Sequence, residues 1–183
     1  MNLHQELAQY LDKCYDDTVR AAYEQKLKEE FLVRDENIHS HCCVYFVPFD
    51  PSTQHLLIGA HKKSGLWLMP GGHIDAGENL LTTLNREITE ELGVHNFFTC
   101  LPEPFLLSLT HIVNDVRPCQ EHFDIWFIME TDGADMVVGD TEYHEVRWVS
   151  IAEAKALTTD PANQQALKRL VLMYSTSPCP DKL

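Results

Sequence analysis

The sequence predicts an α/β fold: a mixed sheet with helices on both of its faces, carrying a helical extension at the N-terminus. Three observations lead there. Residues 41–49 are apolar at both alternating sets of positions, as a central strand buried on both sides requires. Leu80, Leu84, Ile88 and Leu92 recur every four residues, with Leu81 widening the stripe, which is the pattern of a helix with one buried face. Further strand-like runs follow that helix, and two more helical segments close the chain.

The chain has 183 residues, long enough for one domain with a sizeable core and a small appendage. Boundaries are expected at residues 1–36 for a helical extension, 37–175 for the main domain and 176–183 for a loose tail. Asp and Glu number 28 against 14 Lys and Arg, a net charge of −14. That field opposes a polyanion, so long nucleic acid is disfavoured as a partner. Six cysteines show no paired spacing and no CxxC. Reduced thiols and a cytoplasmic location are therefore expected. No long apolar run or signal peptide is visible, so no membrane association is expected.

Taken in order, residues 2–34 read as two helices. Leu3, Leu7, Tyr10, Leu11 and Cys14 form one stripe, and Val19, Tyr23, Leu27 and Phe31 another. Asp16-Asp17-Thr18 between them supplies cap residues. A hairpin packed on the domain is the favoured reading. A dimerisation arm giving a homodimer, or a lid over substrate, are the alternatives. His41–Phe49 is the central strand, Asp50-Pro51-Ser52 a turn, and His55–His61 the returning strand. His39 and His41 share one face of an extended segment, but no third metal ligand lies near them in sequence. His61-Lys62-Lys63 is an ordinary strand end that also offers bases for a phosphate.

Residues 70–94 form a glycine-rich loop feeding a helix, with Asn79 as N-cap and Gly93 as stop. Beyond it, His95–Cys100, Pro104–Ile112 and His122–Glu130 read as strands, and Asn114–Gln120 as a loop. Thr131–Thr141 is a second loop, leading into a strand that ends at Trp148-Val149. Ile151–Leu157 and Asn163–Tyr174 are helices.

The chemistry concentrates on the first long helix. Glu87, Glu90 and Glu91 stand at i, i+3 and i+4, so their carboxylates are neighbours flanking the apolar stripe. Packed and partly desolvated, they repel one another unless cations join them. Arg86 neutralises one, and a hard divalent cation suits the rest. The competing reading is a solvated acidic face beside a structural arginine.

The spacing Gly72, five residues, Glu78, seven residues, Arg86-Glu87-Ile88, one residue, Glu90-Glu91, one residue, Gly93-Val94 fills every constrained position of the Nudix box. The chain therefore resembles the Nudix hydrolases from about Cys42 to Ala156. Leu66–Gly71 is similar to the usual lead-in, and Trp148-Val149-Ser150 with Glu153 to the usual exit strand and helix. The resemblance implies an α/β/α sandwich. It also implies a metal-dependent hydrolase that cleaves a diphosphate linkage in a small nucleotide-like metabolite, a nucleoside diphosphate linked to another group. By resemblance Glu87, Glu90 and Glu91 hold magnesium or manganese (Mg2+ or Mn2+), joined by the Gly71 carbonyl and supported by Glu78. Arg86 orients the glutamates. The base is a box glutamate or a later one: Glu145 first, Glu142 second, Glu121-His122 third. Trp67, Tyr45, Phe105 and Trp126 are the aromatic candidates for stacking on a base. Two other family readings stand beside this one. One is an isomerase of the isopentenyl diphosphate type, with a catalytic cysteine and histidine metal ligands. The other is a non-catalytic nucleotide-sensing domain.

Overall fold

The computed structural model describes residues 2–112, 118–139 and 141–175. The tail expected at 176–183 and most of the 114–120 loop lie outside them. The sheet is assembled on β1 (Ser40–Asp50), which is buried over nearly its whole length. On one edge β1 runs parallel to β6 (Glu121–Glu130), in register from Ser40↔Glu121 to Phe49↔Glu130. On the other edge it has two antiparallel partners. β2 (His55–His61) pairs with Phe49 and Asp50, and β4 (Gly71–His73) pairs with Cys43–Tyr45. β2 also carries β3 (Trp67–Leu68) and β7 (Tyr143–Ser150), while β5 (Leu106–His111) lies antiparallel to β6. The result is a mixed seven-stranded sheet. The β1–β2 turn forms where expected, because Asp50 accepts bonds from the Ser52 N–H (2.8 Å) and the Thr53 hydroxyl (2.7 Å).

Helices cover both faces. Cys42, Val44 and Phe46 of β1, with Phe123, Ile125 and Phe127 of β6, meet α3 (Leu80–Leu92) and the N-terminal helices α1 (Leu3–Ala8) and α2 (Asp17–Lys26). Val47, Phe49 and Ile58, with Trp126, meet α4 (Ile151–Leu157) and α5 (Pro161–Ser175). Among the described residues, no helix is long and apolar enough to cross a membrane. The described cysteines are free thiols.

The N-terminal segment packs on the α3 face. Asn2 and Asp16 cap its two helices. Tyr23 is fully buried, and its hydroxyl donates to the Asp124 carbonyl at 2.9 Å. Glu6 accepts the Leu80 N–H at 3.1 Å, so the extension satisfies a free donor of α3. The second helix is shorter than the Val19-to-Phe31 stripe suggests. It stops at Lys26 and leaves Phe31 exposed. The chain must turn there, because Leu32 and Val33 enter the core and the Leu32 carbonyl accepts the Cys42 N–H at 2.8 Å.

Two strand assignments also change. His95–Cys100 is not a strand, because the Asn85 side chain takes both the Phe98 N–H (3.0 Å) and its carbonyl (2.9 Å) in place of a neighbouring strand. Conversely, Gly71-Gly72-His73 pairs with β1, although glycines carry no strand pattern.

Gly93 ends α3 in the left-handed conformation at φ +70°, and a Cβ there would crowd the Val137 carbonyl. Gly93→Ala is expected to destabilise the fold by at least about 1 kcal/mol, measured by denaturant unfolding.

Candidate active site

The site begins with the glycine strand. Gly72 of β4 has no side chain because Glu87 occupies that space: a Cβ on Gly72 would collide with the Glu87 carboxylate. The backbone can therefore lie directly beneath α3. Asn79 caps the helix by accepting the Thr82 N–H at 2.9 Å. Leu80, Leu84, Ile88 and Leu92 are fully buried. Anchoring that stripe turns Glu87 and Glu91 inward and leaves Glu90 exposed.

Arg86 gathers the acids. Its Nε and Nη2 grip both Glu78 oxygens at 2.9 and 3.0 Å. Its Nη1 donates to Glu87 at 2.7 Å and to Glu90 at 3.3 Å. Nη2 also donates to the His73 carbonyl at 2.8 Å, tying the helix to β4. Glu78 is further held by the Thr83 hydroxyl at 2.8 Å. Burial opposes its ionisation, but the Arg86 and Thr83 bonds prevail and hold its carboxyl below the ordinary value.

Glu91 is the deepest of the set. It accepts the Gly71 N–H at 2.9 Å and the Tyr143 hydroxyl from β7. Burial pushes its carboxyl up to about 8 against those two donors. Burial likewise pushes Glu87 up to about 7, opposed by Arg86 and reinforced by Glu90. One guanidinium serves Glu78, Glu87 and Glu90, and no described ion pair reaches Glu91. Oxygen-only donors with unbalanced negative charge, half sunk in the fold, fit a hard divalent cation. Gly71 joins this cluster through its N–H.

The later glutamates separate. Glu145 is exposed and bound to Arg147 at 2.6 and 2.9 Å, and Arg147 lies over Trp67. Glu142 binds Lys63 at 3.0 and 3.1 Å and lies near His61 at 3.5 Å, and its charge is felt by Glu91. The aromatic candidates divide likewise. Trp126 is fully buried with Tyr45 stacked on it at 4.8 Å, and Phe105 is buried, whereas Trp67 is half-buried. Cys42 is buried, and its thiol is pushed up to about 12 by desolvation; desolvation also raises Cys43 far above the usual thiol range. His39 is not part of the group that His41 joins, for the His39 Nδ1 meets the Pro118 carbonyl at 2.8 Å. Tyr143 is the site residue the sequence did not mark. It lies in the chain between Glu142 and Glu145, but nothing local shows an aromatic on β7 reaching α3.

Fold and acid cluster together define an α/β domain that gathers its acids on one helix beside a glycine strand. The NUDIX domain model matches residues 39–170, and the chain belongs to the Nudix hydrolase family, enzymes of diphosphate linkages. It is 28% identical over 102 residues to the rat asymmetrical bis(5'-nucleosyl)-tetraphosphatase, covering 55% of this chain and 67% of that one. It is 29% identical over 107 residues to the mouse enzyme of the same name, covering 57% and 70%. In fold it is similar to the E. coli dihydroneopterin triphosphate pyrophosphohydrolase, with a TM-score of 0.58, 17% identity, and 74% and 98% of the two chains covered. It is also similar to a C. elegans Ap4A hydrolase, with a TM-score of 0.55, 14% identity, and again 74% and 98% covered.

Carboxyls raised in this way must release their protons before they can hold a cation. Glu87 and Glu91 titrate near 7 and 8 in the metal-free fold against 4.5 as ordinary carboxyls. Folded values above unfolded ones give stability that is present at low pH and lost as pH rises through them. The melting temperature in chelator is expected to fall between about pH 5 and 8, and magnesium affinity to increase across about pH 6 to 9. Calorimetry with and without the metal checks both. Tyr143→Phe removes a bond that favours the Glu91 carboxylate, and should move the midpoint of that affinity rise upward.

Proposed function

We propose that this chain is a magnesium- or manganese-dependent hydrolase cleaving a diphosphate linkage in a small nucleotide-like metabolite, a nucleoside diphosphate linked to another group. The observation that carries the reading is the cluster of Glu87, Glu90 and Glu91 on one face of α3, with two of the three buried. The similarity to enzymes named for dinucleoside polyphosphates supports a nucleotide-like substrate. The net charge of −14 favours a compact substrate over a long nucleic acid. The catalytic domain is proposed at 37–175, with 1–36 as an extension seated on it.

Glu87, Glu90 and Glu91 are the proposed holders of the cation, with the Gly71 carbonyl beside them. When bound, such an ion neutralises phosphate charge and lowers the pKa of a coordinated water. The protein's own groups do the placing. Arg86, anchored by Glu78, fixes the Glu87 carboxylate and leaves Glu90 exposed for contact with substrate. Tyr143 and the Gly71 N–H hold the Glu91 carboxylate in one orientation. A groove lined by Thr82, Asn85, Arg86, Glu90 and Phe98 runs along the outer side of the helix. For the base, a box glutamate or Glu142 is preferred. Both late glutamates are bound to a base, Glu142 to Lys63 and Glu145 to Arg147, but Glu142 lies close enough for its charge to act on Glu91. A cysteine-dependent isomerase is disfavoured, because Cys42 and Cys43 are fully buried and held as neutral thiols.

Glu91→Gln keeps the side-chain volume and removes a ligand charge. Turnover should fall at least about 100-fold, the upper end of what losing a ligand's partner costs, with the fold retained. The assay is phosphate or nucleotide release from nucleoside triphosphates, nucleotide sugars, dinucleoside polyphosphates and coenzyme A, with magnesium or manganese. Near-normal turnover of the variant would remove Glu91 from the metal site. Thiol alkylation should leave wild-type turnover intact; its loss with the fold preserved would favour the cysteine-dependent reading.

A further inference from the structure

The register of three neighbouring strands gathers a second set of metal-ligating side chains. His41 and Cys43 lie two apart on β1 and therefore share a face. Cys43 stands opposite His73 on β4, and His41 stands opposite His122 on β6. Residues directly opposite one another in a sheet point to the same side. The neighbouring Gly72 faces α3 and the acids. By alternation, this set lies on the other face of the sheet, with β4 as the wall between the two groups.

The three imidazoles meet as a group. Ring centroids are 4.9 Å apart for His41–His73, 4.9 Å for His41–His122 and 5.2 Å for His73–His122. One ligand atom from each histidine and the Cys43 sulfur all lie within 4.8 Å of one another. The Nε2 atoms of His41, His73 and His122 are buried and find no hydrogen-bond partner among the described residues. His41 and Cys43 are fully buried. The His41 Nδ1 lies 2.8 Å from the Asn37 carbonyl, a bond it makes as a donor. That tautomer leaves the Nε2 lone pair directed at the group. Three buried nitrogens without partners in one place are costly to a fold. A single cation satisfies all three.

We propose that His41, His73, His122 and Cys43 bind one divalent transition-metal ion of the zinc class, at a site separate from the carboxylate cluster. Three imidazoles and a thiolate suit zinc and exclude magnesium, which takes hard oxygen ligands. Four-coordinate zinc holds its nitrogens about 3.4 Å apart at Zn–N distances near 2.1 Å. The separations between ligand atoms, at most 4.8 Å, therefore shrink by up to about 1.4 Å on binding, with the Cys43 proton released. Such an ion cross-links β1, β4 and β6. Through the His73 backbone, which Arg86 holds at 2.8 Å, it also steadies the strand that carries Gly71 and Gly72.

The test uses the full chain, stripped with chelator and titrated with Co2+. One equivalent should produce the intense visible bands of tetrahedral cobalt and a near-ultraviolet thiolate-to-cobalt charge-transfer band. Zinc should erase both, and a large excess of magnesium should erase neither. Zinc should also raise the melting temperature of the stripped protein. Cys43→Ala should lose the charge-transfer band, and His122→Asn the tetrahedral bands, whereas Glu90→Gln should keep both. Weak octahedral bands in the wild type, or displacement of cobalt by magnesium, would overturn the proposal. So would bands that vanish in Glu90→Gln but persist in His122→Asn. The wild-type titration needs no substitution, so a variant that misfolds leaves the result decisive.

Discussion

Arg86 is the interaction on which the site depends. One guanidinium binds Glu78 with two of its nitrogens, reaches Glu87 and Glu90 with the third, and holds the His73 backbone as well. Without it, the carboxylates of α3 would face one another across a few ångströms in a partly desolvated setting. With it, the helix is tied to β4 through the His73 carbonyl. Glu78 belongs to this arrangement as the anchor of Arg86, since both its oxygens are engaged there.

Arg86 does not complete the charge balance. Glu91 lies out of its described contacts and relies on two neutral donors, Tyr143 and the Gly71 N–H. Its raised pKa, like that of Glu87, records how much the fold gives up to bury an acid. The fold supports that strain with a helix anchored by four fully buried residues and capped at both ends. The N-terminal extension contributes too, for Glu6 satisfies the Leu80 N–H at the start of the same helix. The extension is thus joined to the active-site helix by chemistry as well as by packing.

β4 organises both faces of the sheet. Its glycine side admits Glu87, and its histidine side looks onto His41, Cys43 and His122. Hard oxygen donors and softer nitrogen and sulfur donors are thereby separated by the thickness of one strand.

Much of this was legible because it is local. The caps Asn79 and Gly93, the stripe from Leu80 to Leu92 and the i, i+3, i+4 acids all follow from helical geometry, which acts within a few residues. The box spacing carried the family and the sheet type with it. What stayed hidden depends on strands brought together from far apart in the chain. No local pattern tells that Tyr143 touches Glu91, that Asn85 replaces a strand partner for Phe98, or that Lys26 ends a helix whose apolar stripe runs on. His41 shows the limit best. The sequence offered only His39 beside it, because a single strand displays only its own neighbours. The partners His73 and His122 come from β4 and β6, and only the register of those strands on β1 decides that they meet. The sequence alone determined the helix, its acids and the family, because their geometry is set by neighbours in the chain. The tertiary structure decided burial, the depth of Glu91 and the histidine group, because those depend on which distant backbones hydrogen-bond to each other.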